Sequence, residues 1–287
     1  MSQRLISAAV LVPVAVIVFI AGQPLISIAV LIVTVLAAHE VSRLLTMAGM
    51  PALSALSISG ACIAVIAIPF ALTSAVPFAI SLGGYVAIVA ALAVVVSLVA
   101  DLSDSKSREW LGSAIGVLYP ALLAFVVAIL YVAPSAHPGA PLVGVLDYGR
   151  KWLLVLVLTV WALDTCAYVV GRVYPRGQMA PRISPRKTWS GAIGGTVAAV
   201  VVAALLALAT GEQPIVGAAL GLIIAVAAQA GDLTESLLKR RAGVKDSGAL
   251  IPGHGGILDR VDSFLFAAPA MFLALTGIQL LTTTRPV

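Results

Sequence analysis

Residues 189–209 run for 21 positions without one charged side chain, and they are one of nine apolar stretches in the chain. In lipid, backbone N–H and C=O groups have no water to bond, so a stretch of this length folds as a spanning helix. The nine stretches cover 5–21, 25–45, 53–72, 77–100, 111–133, 152–170, 189–209, 215–230 and 259–281. A soluble domain carries roughly a quarter charged residues; here the share is 10%, with mean hydropathy +1.12. The expected fold class is an all-α polytopic membrane protein. Residues 1–133 are expected to form five N-terminal spans, and 134–287 a four-span C-terminal region with loops at 171–188 and 231–258. The first stretch lacks a small-residue cleavage site before a polar domain, so it reads as a span and not as a signal peptide. Gly217 and Gly221 allow close helix approach in the short eighth span. Gly231, Gly255 and Gly256 mark expected breaks. Cys62 and Cys166 lie in apolar runs and read as buried free thiols.

Lys and Arg choose sides of a bilayer. Nine spans with a cytoplasmic N-terminus put 14 of the 17 basic residues on one side, leaving Arg150, Lys151 and Arg285 on the other. The expected topology is therefore N-terminus in, C-terminus out. Both basic loops then face the cytoplasm, where nucleotides are. Positive-inside bias by itself accounts for the net charge of +5. It does not account for the acids beside those bases.

Residues 236–262, SLLKRRAGVKDSGALIPGHGGILDRVD, hold the densest charge in the chain. Asp232 and Glu235 are spaced i, i+3, and Asp259 and Asp262 repeat that spacing, so each pair shares a helix face. Carboxylates at two helix ends suit a hard divalent cation, and Mg²⁺ takes few carboxylates plus phosphate oxygens. Salt bridges at helix ends, such as Asp232 or Glu235 with Lys239, are the plainer alternative. Lys239, Arg240, Arg241, Lys245 and Arg260 supply phosphate-binding charge, although Arg241 reads as a solvated juxtamembrane base. Asp246 is a further acid in the segment. Gly255 and Gly256 let backbone N–H groups approach an anion where the last helix starts. His254 suits ligation, proton transfer or donation to phosphate.

Two earlier segments carry polar residues at membrane edges. Asp164 lies inside the sixth apolar run and needs a cation or hydrogen-bonding partner; Tyr168, four residues on, shares its face. A structural Asp–Lys or Asp–Arg tie explains Asp164 equally well. In RISPRKTWSG (182–191), Ser184-Pro185 is a turn signal, Thr188 is a cap for the seventh span, and a basic loop feeding a helix N-terminus is a phosphate-binding arrangement. An inside-positive loop with a cap would also explain this segment taken alone.

The run Ser236-x-Leu238-Lys239-Arg240-x4-Lys245-Asp246-x-Gly248-x2-Ile251-Pro252-x-His254-Gly255-Gly256-Ile257-x-Asp259-Arg260-Val261-Asp262 resembles the signature of the phosphatidate cytidylyltransferases, gap-free over 27 positions. Asp164-x2-Ala167-Tyr168-x2-Gly171-Arg172 and Ser184-Pro185-x-Lys187-Thr188 are similar to other segments of that family. The likeness covers the C-terminal half closely and the N-terminal half by hydropathy. One departure is Ser190 before Gly191, where the family often has an acid.

The resemblance implies transfer of CMP from CTP to phosphatidate at the cytoplasmic face of the cell (inner or plasma) membrane. It implies Mg²⁺ on the acids matching Asp232 and Asp259, with K⁺ beside it, and a homodimer; nucleic acid is not a partner. Glu235 is a further metal candidate. Asp232, Asp259, Asp246, Lys239, His254 and Asp262 form the expected catalytic set. Lys187, Ser184, Thr188, Arg240, Lys245, Gly255, Gly256, Arg260, Asp164 and Tyr168 form the expected substrate-binding set. Rival readings are an ion-coupled transporter, another membrane phosphotransferase such as a polyprenol kinase or phosphosugar transferase, and a lipid-binding scaffold without chemistry. Crowding of charge on one face argues against the transporter, the unbroken signature against the other phosphotransferases, and the buried acids against the scaffold.

Overall fold

The computed structural model describes residues 2–73, 107–132, 146–253 and 255–283. The expected span at 77–100 and the side chain of His254 lie outside them. In chain order the elements are α1 (Ser2–Ala21), α2 (Leu25–Met47), α3 (Ser54–Thr73), α4 (Ser107–Ala121), α5 (Ala124–Ile129), α6 (Tyr148–Val173), β1 (Gln178–Ala180), β2 (Ser184–Thr188), α7 (Trp189–Ala209), α8 (Pro214–Arg241) and α9 (Leu258–Thr283). The fold is thus mostly helical, with one short hairpin that an all-α expectation misses. Among the described residues, six segments are long and apolar enough to cross a membrane. This fits a multi-pass membrane protein.

The chain divides into two compact units. The first contains Met1–Ala128 and Glu235–Asp262. Within it α2, α3 and α4 pack on one another and α1 lies along α2. Ala37, Ala38, Val41 and Leu44 of α2 are fully buried. Gly112 of α4 lies against the carbonyls of Met50 and Pro51, where a Cβ would come within 2.6 Å of each oxygen. The backbone N–H of Leu53 donates to Ser113 Oγ at 3.1 Å, which ties the start of α3 to α4. Past Pro120 the helix tightens to i→i−3 bonds at Leu122 and Leu123 before α5 begins, and 109–129 as a whole remains one of the segments long and apolar enough to span, in line with the expected 111–133.

The second unit contains Ile129–Thr234 and Ser263–Val287. Helix α6 starts at Asp147, whose carboxylate accepts from Arg150 N at 2.9 Å. Helix α7 starts at Thr188, whose Oγ1 accepts from Gly191 N at 3.1 Å, the cap expected from sequence. Each cap satisfies an otherwise unpaired N–H and contributes about 1 kcal/mol. Along α7 every fourth residue is small and buried: Gly191, Gly195, Ala199, Ala203 and Ala207. Gly195 sits so close to α6 that a Cβ would lie 2.7 Å from Leu163 O. Gly217 and Gly221 pack on α7 at Ala203 and Ala199, as their spacing predicts. Small residues replace the hydrophobic effect, which cannot drive helix association in lipid, with close backbone packing. On the other face Ile193, Val197, Val201 and Leu205 are exposed, which is the pattern of a lipid-facing stripe.

Two local expectations are corrected. Gly231 does not break the eighth span: α8 continues for 28 residues through Asp232, Glu235 and Lys239 to Arg241. The expected loop 231–258 is therefore helix from 231 to 241. A single Gly costs a helix only about 1 kcal/mol, and the Glu235–Lys239 pair supports the next turn. Ser184-Pro185 is not a turn either. Both lie in β2, and the turn falls at 181–183. The two-stranded sheet pairs Ala180 with Ser184 and Gln178 with Thr188, and in it Pro is tolerated because each strand is an edge.

Candidate active site

In the second unit, the β1–β2 hairpin feeds directly into α7. The backbone N–H of Trp189 donates to Gly177 O at 2.9 Å. Ser190 staples the base of the hairpin: its Oγ donates to Tyr174 O at 2.6 Å and accepts from Arg176 N at 3.1 Å. This geometry gives the residue at the departing position a structural use. Lys187, near the end of β2, places its ammonium 2.6 Å from Asp232 Oδ2 on α8. Asp164 is exposed on α6 and lies within electrostatic range of both Asp232 and Lys187. Tyr168 does not partner Asp164; its hydroxyl accepts from Arg172 Nη1 at 2.6 Å. Ser184 is half-buried in β2.

In the first unit, Lys239 stands between two carboxylates. Its Nζ lies 2.5 Å from Glu235 Oε2 and 2.6 Å from Asp259 Oδ1. The i, i+4 spacing on α8 sets the first contact. The second joins α8 to the first turn of α9. Asp259 Oδ2 accepts from Ser247 N at 2.9 Å, Ser247 Oγ at 2.9 Å and Gly256 N at 2.8 Å. Asp259 is thus fully engaged by the loop and by Lys239. Gly256 N–H, expected to meet a phosphate, serves this carboxylate. Arg240 donates to Val244 O at 3.1 Å, closing the end of α8.

Sequence reasoning missed Glu40. This acid lies on α2 and is only 6% exposed. Its Oε2 accepts from Leu258 N at 2.9 Å and from Ser247 Oγ at 2.8 Å, and its Oε1 accepts from Ile257 N at 3.1 Å. It therefore caps the N-terminus of α9, where orphan N–H groups and the helix dipole favour an anion. Arg43, one turn later on α2, donates from Nη2 to Ser247 O at 2.6 Å. The signal that points to both was present: ionisable residues inside an apolar span.

Beside this network opens a cleft of about 670 Å³, walled by Lys245, Asp246, Gly253, Gly255 and Arg260. Ile251 N donates to Gly255 O at 2.9 Å, which closes the turn. Gly253 and Gly255 hold φ of 76° and 83°, conformations that side chains disfavour.

The acids fit a hard cation. Carboxylate oxygens of Glu235 and Asp262 lie within 4.8 Å of one another, and Asp232 precedes Glu235 by one turn on the same helix. Glu235 Oε1 is buried without a hydrogen-bond partner. An all-oxygen donor set of this kind suits Mg²⁺ better than a soft metal. Asp259, expected as the second ligand to Asp232, has the hydrogen bonds given above. The cysteines are free and half-buried, less enclosed than expected.

Residues 2–277 match the model of the family described as the cytidylyltransferase family. A phosphatidate cytidylyltransferase of Brucella suis is 44% identical over 149 residues, 50% of this chain and 54% of the relative. The enzyme of that name from Bacillus subtilis is 40% identical over 151 residues, 52% of this chain and 56% of the relative. That of Synechocystis is 48% identical over 125 residues, 42% of each. The chain thus spans about half the length of the curated relatives it matches.

Proposed function

Because the chain belongs to the cytidylyltransferase family, we propose that it transfers CMP from CTP to phosphatidate, giving CDP-diacylglycerol and pyrophosphate for phospholipid biosynthesis. The observation that carries this reading is the cleft of about 670 Å³ walled by Lys245, Asp246, Arg260 and glycine backbone. Its volume falls within the range of ligand pockets. Its bases and exposed backbone suit a polyphosphate.

The chemistry needs no activated Ser or Cys. A monoester oxygen of phosphatidate, already ionised, attacks the α-phosphorus of CTP. The bond from that phosphorus to the bridging oxygen breaks, and pyrophosphate leaves with the electron pair. Repulsion between two anions is the main obstacle, so positioning and charge compensation dominate. Lys245, Arg260, Lys187 and Arg240 are assigned to phosphate oxygens. Asp246 and Gly255, on the wall of the cleft, are assigned to the nucleotide's phosphate pocket, and His254 joins them by likeness to the family's motif, while Gly256 serves the site through its bond to Asp259. Ser184, Thr188, Asp164 and Tyr168 are assigned to substrate binding by likeness to the family's motifs.

Glu235 and Asp262, with Asp232 from the preceding turn, would hold Mg²⁺. A divalent cation there supplies charge neutralisation at phosphoryl oxygens. Lys239 and Asp259 orient the acids around it. By likeness, K⁺ beside Mg²⁺ and a homodimer belong to the same proposal. So does a place in the cell membrane, with nine spans, the N-terminus inside and both basic loops cytoplasmic; the distribution of 14 of 17 bases supports it.

The test is purified protein with phosphatidate and each of CTP, dCTP, ATP and UTP, with and without Mg²⁺. CDP-diacylglycerol and pyrophosphate in equal amounts, from a cytidine nucleotide and only with the metal, are expected. Phosphoryl transfer from ATP to another lipid acceptor would favour a different phosphotransferase. Solute flux into liposomes without pyrophosphate would favour a carrier.

A further inference from the structure

We infer that Glu40 on α2 is a positioning residue for this reaction, acting on Asp259 through Ser247 and the first turn of α9. The inference rests on the proposed cytidylyl transfer.

A carboxylate buried to this degree is expensive unless its lone pairs are filled. Three donors fill those of Glu40, and all three come from the loop and helix start that carry Asp259: Ser247 Oγ, Ile257 N and Leu258 N, at 2.8, 3.1 and 2.9 Å. Asp259 takes its own bonds from the same short stretch, at Ser247 N, Ser247 Oγ and Gly256 N. The two acids are therefore held by interleaved partners. Ser247 is the shared one. Its hydroxyl has a single proton, yet the oxygen lies 2.8 Å from Glu40 Oε2 and 2.9 Å from Asp259 Oδ2. That proton is shared between two carboxylates, so moving either one changes the bond to the other.

The packing leaves no slack. At Gly256 a Cβ would overlap both Glu40 oxygens and Ser247 Oγ, and at Gly248 it would overlap Glu40 Oε1. Glycine at both places lets the backbone close on the Glu40 side chain. Arg43 Nη2 on Ser247 O fixes the same serine from its backbone side. Lys239, held to Asp259 Oδ1 at 2.6 Å, completes the chain of contacts from α2 to α8. An acid that only stabilised the helix start would need the two amide bonds and not the link through Ser247.

Three variants separate positioning from simple support. Glu40→Gln keeps the shape but aims an amide N–H₂ at donors. Ser247→Ala removes the shared hydroxyl and keeps the serine's backbone bonds to Asp259 and Arg43. The double variant closes the cycle. In the cytidylyl-transfer assay, each single variant is expected to lower kcat roughly 10- to 100-fold, the range for outer partners of catalytic ligands. KM for CTP and for phosphatidate should stay within about twofold. The double variant should be no slower than the slower single, because residues acting as a unit are non-additive. Hydrogen exchange of the Ile257 and Leu258 amides should quicken in Glu40→Gln and stay near wild type in Ser247→Ala. Normal kcat in Glu40→Gln overturns the inference. So do multiplicative effects in the double variant, or a loss confined to folded yield. Wild-type protein that forms no CDP-diacylglycerol would instead sink the functional reading, while exchange would still report whether Glu40 holds the loop.

Discussion

Lys187 and Asp232 meet at 2.6 Å, joining the end of β2 to the middle of α8. Both side chains are about a quarter to a third exposed, so the pair contributes no more than about 1 kcal/mol to stability. Its value would lie in chemistry. Lys187→Gln should lower kcat/KM roughly 100-fold while shifting the melting temperature in detergent by only a few degrees. Steady-state kinetics beside thermal unfolding checks both halves.

Asp259→Asn tests the most heavily bonded acid. The carboxylate meets Lys239 on one oxygen and three donors on the other. An amide keeps one acceptor and turns an N–H₂ toward a donor. Turnover with CTP and Mg²⁺ should fall at least about 100-fold, with the protein still monodisperse in detergent. Near-normal turnover would remove Asp259 from the machinery.

Lys239→Met removes the cation between two carboxylates. The side chains of Glu235 and Asp259 are 0% and 8% exposed. Leaving buried acids uncompensated costs about 3–5 kcal/mol. A sharply lower unfolding temperature is expected, accompanied by lost activity. Glu235→Gln combined with Lys239→Met should regain part of the stability and none of the turnover.

Ser190→Ala examines the position where the chain departs from its family's pattern. The hydroxyl bonds Tyr174 O and Arg176 N. Its loss should cost about 1 kcal/mol and expose the hairpin to limited proteolysis near 176–183. Unchanged proteolysis would mean the staple is dispensable.

Much of this was legible in the residues. The Thr188 cap and the Gly217 and Gly221 contacts follow from local rules, because each needs only a few neighbours in sequence. The charged segment was legible because ionisable groups are rare in an apolar chain. Gly231 misled because one weak helix former cannot outweigh a helix continued on both sides. Ser184-Pro185 misled because a two-stranded ribbon is all edge and tolerates proline. Glu40 stood out as an acid in an apolar span, but what it binds was hidden for a different reason. Its partners lie 207 to 218 positions away, and no period or spacing rule reaches that far.

That separation has a consequence for grafting. The signature segment looks like a portable cassette, since its charges are contiguous. Its shape is not portable. A chimera that moved 236–262 into another helical scaffold would carry Asp259 and Ser247 without the α2 anion that caps the following helix. The recipient would have to supply an acid at the height of Glu40 and a guanidinium one turn away. Recognisability and transplantability therefore belong to different lengths of this chain.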